Sequence, residues 1–169
     1  MEKARSGLGN KGKLARDRLL AATSELMRER NALDVPVMDI AVRAGLNTAL
    51  IRYHFGSKEG LIFALLERDM RDAVEKVCAL VALPLSPEQK MRRHLRAINT
   101  MFANHPYLNR LIQATGEVAG PARMRELCNR LLQPAADAQA RILEAGVSAG
   151  IFKPVDPAQF YFFSLGACD

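Results

Sequence analysis

Apolar residues recur along this chain at helical spacing. Ala15, Leu19, Ala22 and Leu26 follow one another at intervals of three or four residues, which places them on one face of a helix. Alternating apolar and polar runs rich in β-branched residues, the sign of strands, are absent from the sequence. The pattern therefore predicts an all-α protein whose first helix covers about residues 13–30.

Local capping signals predict where the other helices begin and end. Asn31 can stop the first helix in a left-handed conformation, and Ser86-Pro87-Glu88-Gln89 is a strong helix start. Pro134 predicts a kink or break, because a proline interrupts the helical hydrogen bonds. The later helices are predicted at about 36–44, 48–54, 58–82, 87–103, 106–117 and 121–149, with a last one opening at Asp156-Pro157.

Four consecutive aromatic residues make the last predicted helix unusual. Phe160, Tyr161, Phe162 and Phe163 point in all directions around a helix axis. Such a helix either is enclosed in a core or packs one side on its own domain and the other on a second subunit. We favour the second interpretation, which makes these residues a candidate dimer interface. The chain stops at Asp169 without a helix-stop signal, and we expect a truncated C-terminus.

Positive charge is concentrated at the N-terminus. The net charge is +6, and residues 1–18 hold six Lys or Arg against two Asp or Glu. This asymmetry is typical of a nucleic-acid-binding module, although a tail that only aids solubility would give it too. We predict that residues 1–12 form a disordered basic tail. The sequence shows no signal peptide or membrane-length apolar run. Its three cysteines are widely spaced, which fits a reducing cytoplasm: Cys78, Cys128 and Cys168.

Residues 36–55 have the pattern of a helix-turn-helix. Gly45 can supply the positive φ of a tight turn between two short helices. Five apolar residues can then pack as a small core against the first helix: Ile40, Ala41, Leu46, Ile51 and Phe55. The outer face of the second short helix keeps hydroxyl, amide and guanidinium groups, which can reach base edges and phosphate oxygens. The candidate DNA-binding residues on this face are Asn47, Thr48, Ala49, Arg52 and Tyr53.

A possible phosphate clamp follows directly. Ser57 can cap the helix that starts at Lys58, and free N–H groups beside a lysine attract phosphate.

These residues resemble the TetR/AcrR family of bacterial regulators. The resemblance covers about residues 13–65 and rests on Ile40-Ala41-Val42-Arg43-Ala44-Gly45 followed by Tyr53-His54-Phe55-Gly56-Ser57-Lys58-Glu59-Gly60-Leu61. It implies a three-helix DNA-binding head, here residues 13–57, and a helical effector-binding and dimerisation domain, here 58–169 with a linking helix at 58–82. It also implies base contacts by residues 47–49 and phosphate contacts by Arg52, Tyr53, His54 and Lys58. The partners would be an operator in double-stranded DNA, a second copy of the chain and a small-molecule effector. Regulators of this family most often repress transcription.

The chain departs from the family pattern at three places. Arg52 replaces a usual tyrosine and could hold phosphate or reach a guanine. Pro36 stands near the start of the second helix, where the family often has a capping threonine or serine. Family members also run some tens of residues longer, which puts independent dimerisation in doubt.

The body carries little motif information. A small-molecule pocket would be lined by the apolar stripes of its helices, although ordinary core packing is the favoured explanation for any one of these residues. Glu117 could contact a polar ligand group or lie solvated at the surface. The candidate effector residues are Met91, Leu95, Ile98, Met101, Phe102, Tyr107, Leu111, Glu117 and Met124.

Catalytic and metal-binding motifs are absent from the sequence. His54, His94 and His105 do not have metal-ligand spacing, and neither a Gly-rich phosphate loop nor a GxSxG motif occurs. His94 falls among arginines and is predicted to lie on a solvated basic face. No cofactor is expected. A rival interpretation, in which the helical head docks a protein, would need an apolar outer face at 47–54, whereas that face is polar and cationic.

Overall fold

Helices account for all regular structure in the part of the chain that the computed structural model describes. This part comprises the backbone of residues 2–118 and 120–167 and the side chains of residues 11–114 and 121–167. The all-α prediction is confirmed. The α-helices are α1 (Glu2–Arg30), α2 (Val37–Ala44), α3 (Ala49–Phe55), α4 (Lys58–Ala82), α5 (Pro87–Asn104), α6 (Leu108–Val118), α7 (Gly120–Leu127), α8 (Gln133–Ser148) and α9 (Pro157–Gly166). None of these helices, within the described residues, combines the length and apolar character needed to cross a membrane.

The chain divides into an N-terminal unit, Met1–Leu66, and a C-terminal unit, Glu67–Asp169. The division falls inside α4, whereas the sequence predicts it between residues 57 and 58. The difference arises because the first turns of α4 carry Leu61 and Leu65, which are fully buried and belong to the N-terminal unit. Helix α4 therefore contributes core residues to the N-terminal unit in addition to linking the two units.

The start of α1 differs from the prediction of a tail over residues 1–12. The structure has α1 helical from Glu2. Lysine, arginine, alanine and leucine favour helix, and no proline interrupts residues 2–12, so the helix continues through the glycines of this segment. Its end agrees with the prediction, because Asn31 has a φ of 48° and Ala32 donates a hydrogen bond to the Met27 carbonyl.

The predicted caps are present. Ser86 and Gln89 form a reciprocal capping box at α5, and Asp156 accepts a hydrogen bond from the Gln159 N–H at α9. Ser57 Oγ accepts from the Gly60 N–H at 3.1 Å. Pro36 precedes α2 in an extended conformation and provides no side-chain cap, which agrees with the departure noted in the sequence.

The predicted interruption near Pro134 takes the form of a π-helical turn. Residues Cys128–Leu132 form this turn between α7 and α8, and Pro134 then lies in the first turn of α8. Pro134 has no N–H to donate, and the change of hydrogen-bond spacing directly before it, where the Gln133 N–H donates to the Cys128 carbonyl, accommodates this gap. The helical conformation therefore continues from α7 to α8 through the π-helical turn.

The core of the C-terminal unit contains a polar cluster, which corrects the prediction for His94. This side chain is 3 % exposed, and its Nε2 lies 2.7 Å from Oε1 of Gln139 on α8. Ser164 on α9 donates to the same oxygen at 3.2 Å. The predicted solvated position is wrong because α8 and α9 cover this face of α5. Burial lowers the pKa of His94, since the charged ring loses its hydration.

Helix α9 has one buried and one exposed side. Tyr161 is 5 % exposed and packs in the core with Ile142 and Leu143, and burial raises its pKa to about 12. Phe162 and Phe163 are 70 % and 79 % exposed, whereas Phe160 is half-buried. Of the four predicted interface residues, Tyr161 therefore belongs to the unit's own core.

Candidate nucleic-acid interface

Helices α1, α2 and α3 enclose a small core that fixes the orientation of α3. Ile40, Ala41 and Ile51 are buried, as the sequence analysis predicts. Leu46 and Phe55, predicted in the same core, are only half-buried. Because Ile51 points inward, Arg52 and Tyr53, which follow it at about 100° and 200° around the helix axis, lie on the exposed side of α3.

The turn between α2 and α3 depends on two residues. Gly45 has φ and ψ of 62° and 40°, a left-handed conformation that glycine adopts without strain. The Asn47 side-chain oxygen accepts a hydrogen bond from the Ala49 N–H at 2.8 Å and so caps the start of α3. Sequence reasoning treated Asn47 as a base contact and missed this second role. Because the Asn47 oxygen already accepts this hydrogen bond within the turn, the amide N–H groups of the side chain remain available to donate to a base.

The outer face of α3 is polar and open. Ala49, Arg52 and Tyr53 are exposed, and Tyr53 reaches 81 % exposure. Thr48 and His54 are half-buried at the two ends of this face. The structure thus brings the six predicted residues of positions 47–54 onto one short helix and its cap.

Helix α1 adds basic groups beside the end of α3. The Arg16 guanidinium lies over the Phe55 ring, with its carbon 5.3 Å from the ring centroid. A Cβ on Gly12 would lie 3.8 Å from Cε1 of His54, so α1 passes close to that histidine. Lys11 and Lys13 are exposed on this part of α1. Sequence reasoning missed these candidates, although the charge excess in residues 1–18 indicated them.

Ion pairs hold α2 against α1. Arg43 forms a bidentate pair with Glu29, at 2.8 and 2.7 Å, and also contacts Glu25. Arg30 pairs with Asp39 at 2.5 Å. The hydrogen bond from Arg43 lowers the pKa of Glu29. Arg43 and Arg30 therefore hold α2 in place against α1 in addition to contributing positive charge.

Lys58 is held at the start of α4 by an exposed partner. Its ammonium group forms an ion pair with Asp34, whose side chain is 92 % exposed. The hydrogen bond from Lys58 lowers the pKa of Asp34. A phosphate approaching Lys58 would therefore compete with this carboxylate.

The nine predicted effector residues do not line one shared cavity in the described structure. Phe102 lines an apolar cleft, Met101 lines a polar groove and Met91 lines a third depression. The others lie in or near the core, where the helical stripes pack against neighbouring helices: Ile98, Tyr107 and Leu111 are buried, and Leu95 and Met124 are half-buried. The side chain of Glu117 lies outside the described residues.

The apolar cleft occupies about 440 Å³ in the C-terminal unit, a volume in the range of small-molecule sites. Its walls come from α5, α6, α8, α9 and the π-helical turn, which contributes Cys128 and Leu132. Three amides, Asn109, Gln113 and Gln133, are polar groups of its lining, and none of the described lining residues is charged. Elsewhere among the described residues, no group of three or more His, Cys, Asp or Glu is placed to hold a metal ion.

Two family models match the sequence. Residues 19–65 match the model described as bacterial regulatory proteins of the tetR family. Residues 84–169 match the model described as the tetracyclin repressor-like C-terminal domain. The two matches together cover the helix-turn-helix and most of the C-terminal unit.

Individual relatives agree with this assignment. The regulator BetI of Brucella canis is 30 % identical over 54 % of this chain and 53 % of its own length. The regulator EthR of Mycolicibacterium smegmatis is 23 % identical over 83 % of this chain and 64 % of its own length. The chain thus spans about half the length of the BetI protein that it matches.

Solved structures show the same fold. A TetR/AcrR-family regulator from Thermobifida fusca has a TM-score of 0.69 and 28 % identity, covering 90 % of this chain and 81 % of its own. PfmR from Thermus thermophilus has a TM-score of 0.74 and 24 % identity, covering 89 % and 82 %.

Proposed function

Because the chain belongs to the TetR family of bacterial regulators, we propose that it is a sequence-specific DNA-binding transcriptional regulator that represses from an operator. The family consists of transcriptional regulators and not of enzymes. The observation that carries the proposal is the open polar face of α3, where Arg52 and Tyr53 are exposed while Ile51 is buried. A regulator of this kind would act in the cytoplasm.

The residues of α3 divide between reading bases and holding the backbone. Thr48 and Ala49 stand at the start of the helix, and Asn47 caps it, so these three would enter the major groove first. Arg52, Tyr53 and His54 lie one turn further on and would hold phosphates, together with Lys58 at the start of α4. Lys13 and Arg16 of α1 add positive charge to this unit, and Arg16 lies over Phe55 at the end of α3.

Two copies of the chain would bind one partly palindromic operator. Helix-turn-helix dimers read half-sites about 34–36 Å apart or at multiples of that distance. The exposed Phe162 and Phe163 of α9 would contribute to the contact between copies. Phe163→Ser should weaken self-association in sedimentation experiments, whereas Val42→Ser, at a comparably exposed residue of α2, should leave it unchanged. Equal sedimentation of both variants and the parent chain would contradict this use of α9.

A small molecule in the apolar cleft would release the DNA. Because the lining residues that the structure describes are apolar or amides, we expect a neutral, largely apolar effector that hydrogen-bonds to one or more of the three amides. Such a molecule lowers DNA affinity only by as much as it prefers the DNA-free state.

The proposal is tested by selecting bound sequences from a random DNA duplex pool. Enrichment of one sequence family is expected. Thr48→Ala should then relax sequence preference, whereas Lys58→Ala should weaken binding to all duplexes and lower the salt slope by about one. Equal effects of both variants on selected and random duplexes would contradict the assigned roles, and no enrichment at low salt would contradict DNA recognition itself.

The ion pair of Lys58 with Asp34 provides a sharper control. If Lys58 binds phosphate, Asp34→Asn should strengthen DNA binding, because it frees the ammonium group and removes a competing negative charge. If Lys58 only stabilises the fold through this pair, Asp34→Asn should weaken binding as Lys58→Ala does.

A further inference from the structure

A second concave surface lies between α4 and α5 in the C-terminal unit, and we call it the α4–α5 groove. It has a volume of about 550 Å³. The charged residues that line it are Arg68, Asp69, Asp72 and Lys76 from α4 and Arg93 and Arg96 from α5. The proposed function does not use this groove, and the apolar cleft has a different lining.

The carboxylates of the groove are already engaged. Asp69 is buried and receives hydrogen bonds from the Arg68 guanidinium and from the Tyr107 hydroxyl, at 2.7 and 2.5 Å. Asp72 pairs with Lys76 at 2.6 Å. The negative charge in the groove is therefore balanced by Arg68 and Lys76.

Among the described residues, two guanidinium groups of the groove have no carboxylate partner. Arg93 and Arg96 are exposed, and neither forms an ion pair within the described part of the chain. They are three residues apart on α5 and therefore lie on the same face of that helix. Thr100 and Asn104 continue the lining along α5 and offer polar groups. The net positive charge of the groove therefore comes from these two arginines, which lie on the α5 wall.

We propose that the α4–α5 groove binds a small multivalent anion, a molecule that carries a phosphate or at least two carboxylates. Guanidinium groups suit this chemistry because their planar N–H donors match the oxygens of carboxylates and phosphates in bidentate geometry. A single carboxylate would leave one arginine unused. The volume exceeds that of a bare phosphate ion and accommodates an organic anion.

The chain offers a matched control for this site. Arg92 is exposed on the same helix, next to Arg93 in sequence, but it does not line the groove and pairs with Glu88 at 2.9 Å. Arg92→Gln and Arg93→Gln therefore remove the same charge from adjacent positions. If the arginines attract anions only through the overall charge of the protein, both substitutions weaken anion binding alike. If the groove is a binding site, only Arg93→Gln weakens it.

The test is calorimetric titration of the full chain with citrate and with inorganic phosphate, without DNA and at constant ionic strength set by sodium chloride. We expect saturable binding of citrate. Arg93→Gln and Arg96→Gln should each weaken it by about tenfold, the effect of losing one charged hydrogen-bonded contact, while Arg92→Gln should change it less than about twofold. Circular dichroism checks that each variant is folded.

Two outcomes would overturn the proposal: no saturable binding of either anion, or equal weakening by Arg92→Gln and Arg93→Gln. Because DNA is absent from the titration, failure here leaves the DNA-binding proposal intact. Failure of the duplex selection would likewise leave this site intact.

Discussion

We expect one kind of substitution, glycine to alanine, to have opposite effects at two positions of the N-terminal unit. A Cβ on Gly60, in the first turn of α4, would lie 2.0 Å from the Phe55 carbonyl oxygen, and one on Gly12, in α1, would meet only Cε1 of His54 at 3.8 Å. Gly60→Ala should therefore destabilise the unit, whereas Gly12→Ala should stabilise it.

The magnitudes follow from two opposing contributions. Alanine is favoured over glycine inside a helix by about 1 kcal/mol, and this gain applies to both positions. At Gly60 the chain must open by about 1 Å to reach the 3.0 Å that Cβ atoms keep from such neighbours. Overpacking of this kind costs about 1–3 kcal/mol, and the displacement also weakens the Ser57 cap, worth about 1 kcal/mol. We expect a net loss of about 1–3 kcal/mol at Gly60 and a gain of about 0.5–1 kcal/mol at Gly12.

The assay is urea denaturation followed by circular dichroism, together with hydrogen exchange of peptides from residues 49–66. Exchange is needed because the chain has two compact units, and a single transition would not show which one changed. Gly60→Ala should raise exchange at the end of α3 and lower DNA affinity, because the opening moves Lys58 relative to α3. If Gly60→Ala is as stable as Gly12→Ala, the close approach of Phe55 and Gly60 does not constrain this unit.

Two further predictions concern buried polar groups of the C-terminal unit. Burial lowers the pKa of His94, so the folded state disfavours its protonation, and stability present above about pH 6.5 is lost as the pH falls below that value. Melting temperatures of His94→Gln should therefore fall less than those of the parent chain between pH 7.5 and 5.5; parallel decreases would contradict this. Tyr107→Phe removes a donor from the buried Asp69 and should cost about 1–3 kcal/mol in urea denaturation. Tyr53→Phe, at an exposed tyrosine, should cost almost nothing, and equal costs would refute the role of the Tyr107 hydroxyl.

Features that depend on a few neighbouring residues were predictable from the sequence. Gly45 and Asn31 adopt the left-handed conformations expected of them, and Ser86 forms the expected capping box. The open face of α3 was predictable for a similar reason. Once the core side is known, helical periodicity turns Arg52 about 100° and Tyr53 about 200° away from the buried Ile51.

The identity of the element that covers a given helix face was not predictable. Arg93 and His94 are neighbours in sequence, yet they point about 100° apart on α5, so one lines an open groove and the other is buried against Gln139. The same reason separates Tyr161, in the core, from Phe162, at the surface.

The sequence by itself determined the helices, their caps, the helix-turn-helix and the polar face of α3, because each depends on interactions within one or two turns. The tertiary structure alone decided which cations are engaged and which side chains are buried. Lys58 meets Asp34, Arg43 meets Glu29, and Arg93 has no such partner in the described structure. These pairings join residues that are distant in sequence, on two helices or on a helix and a loop, and their distances are set by how those segments pack and not by local periodicity.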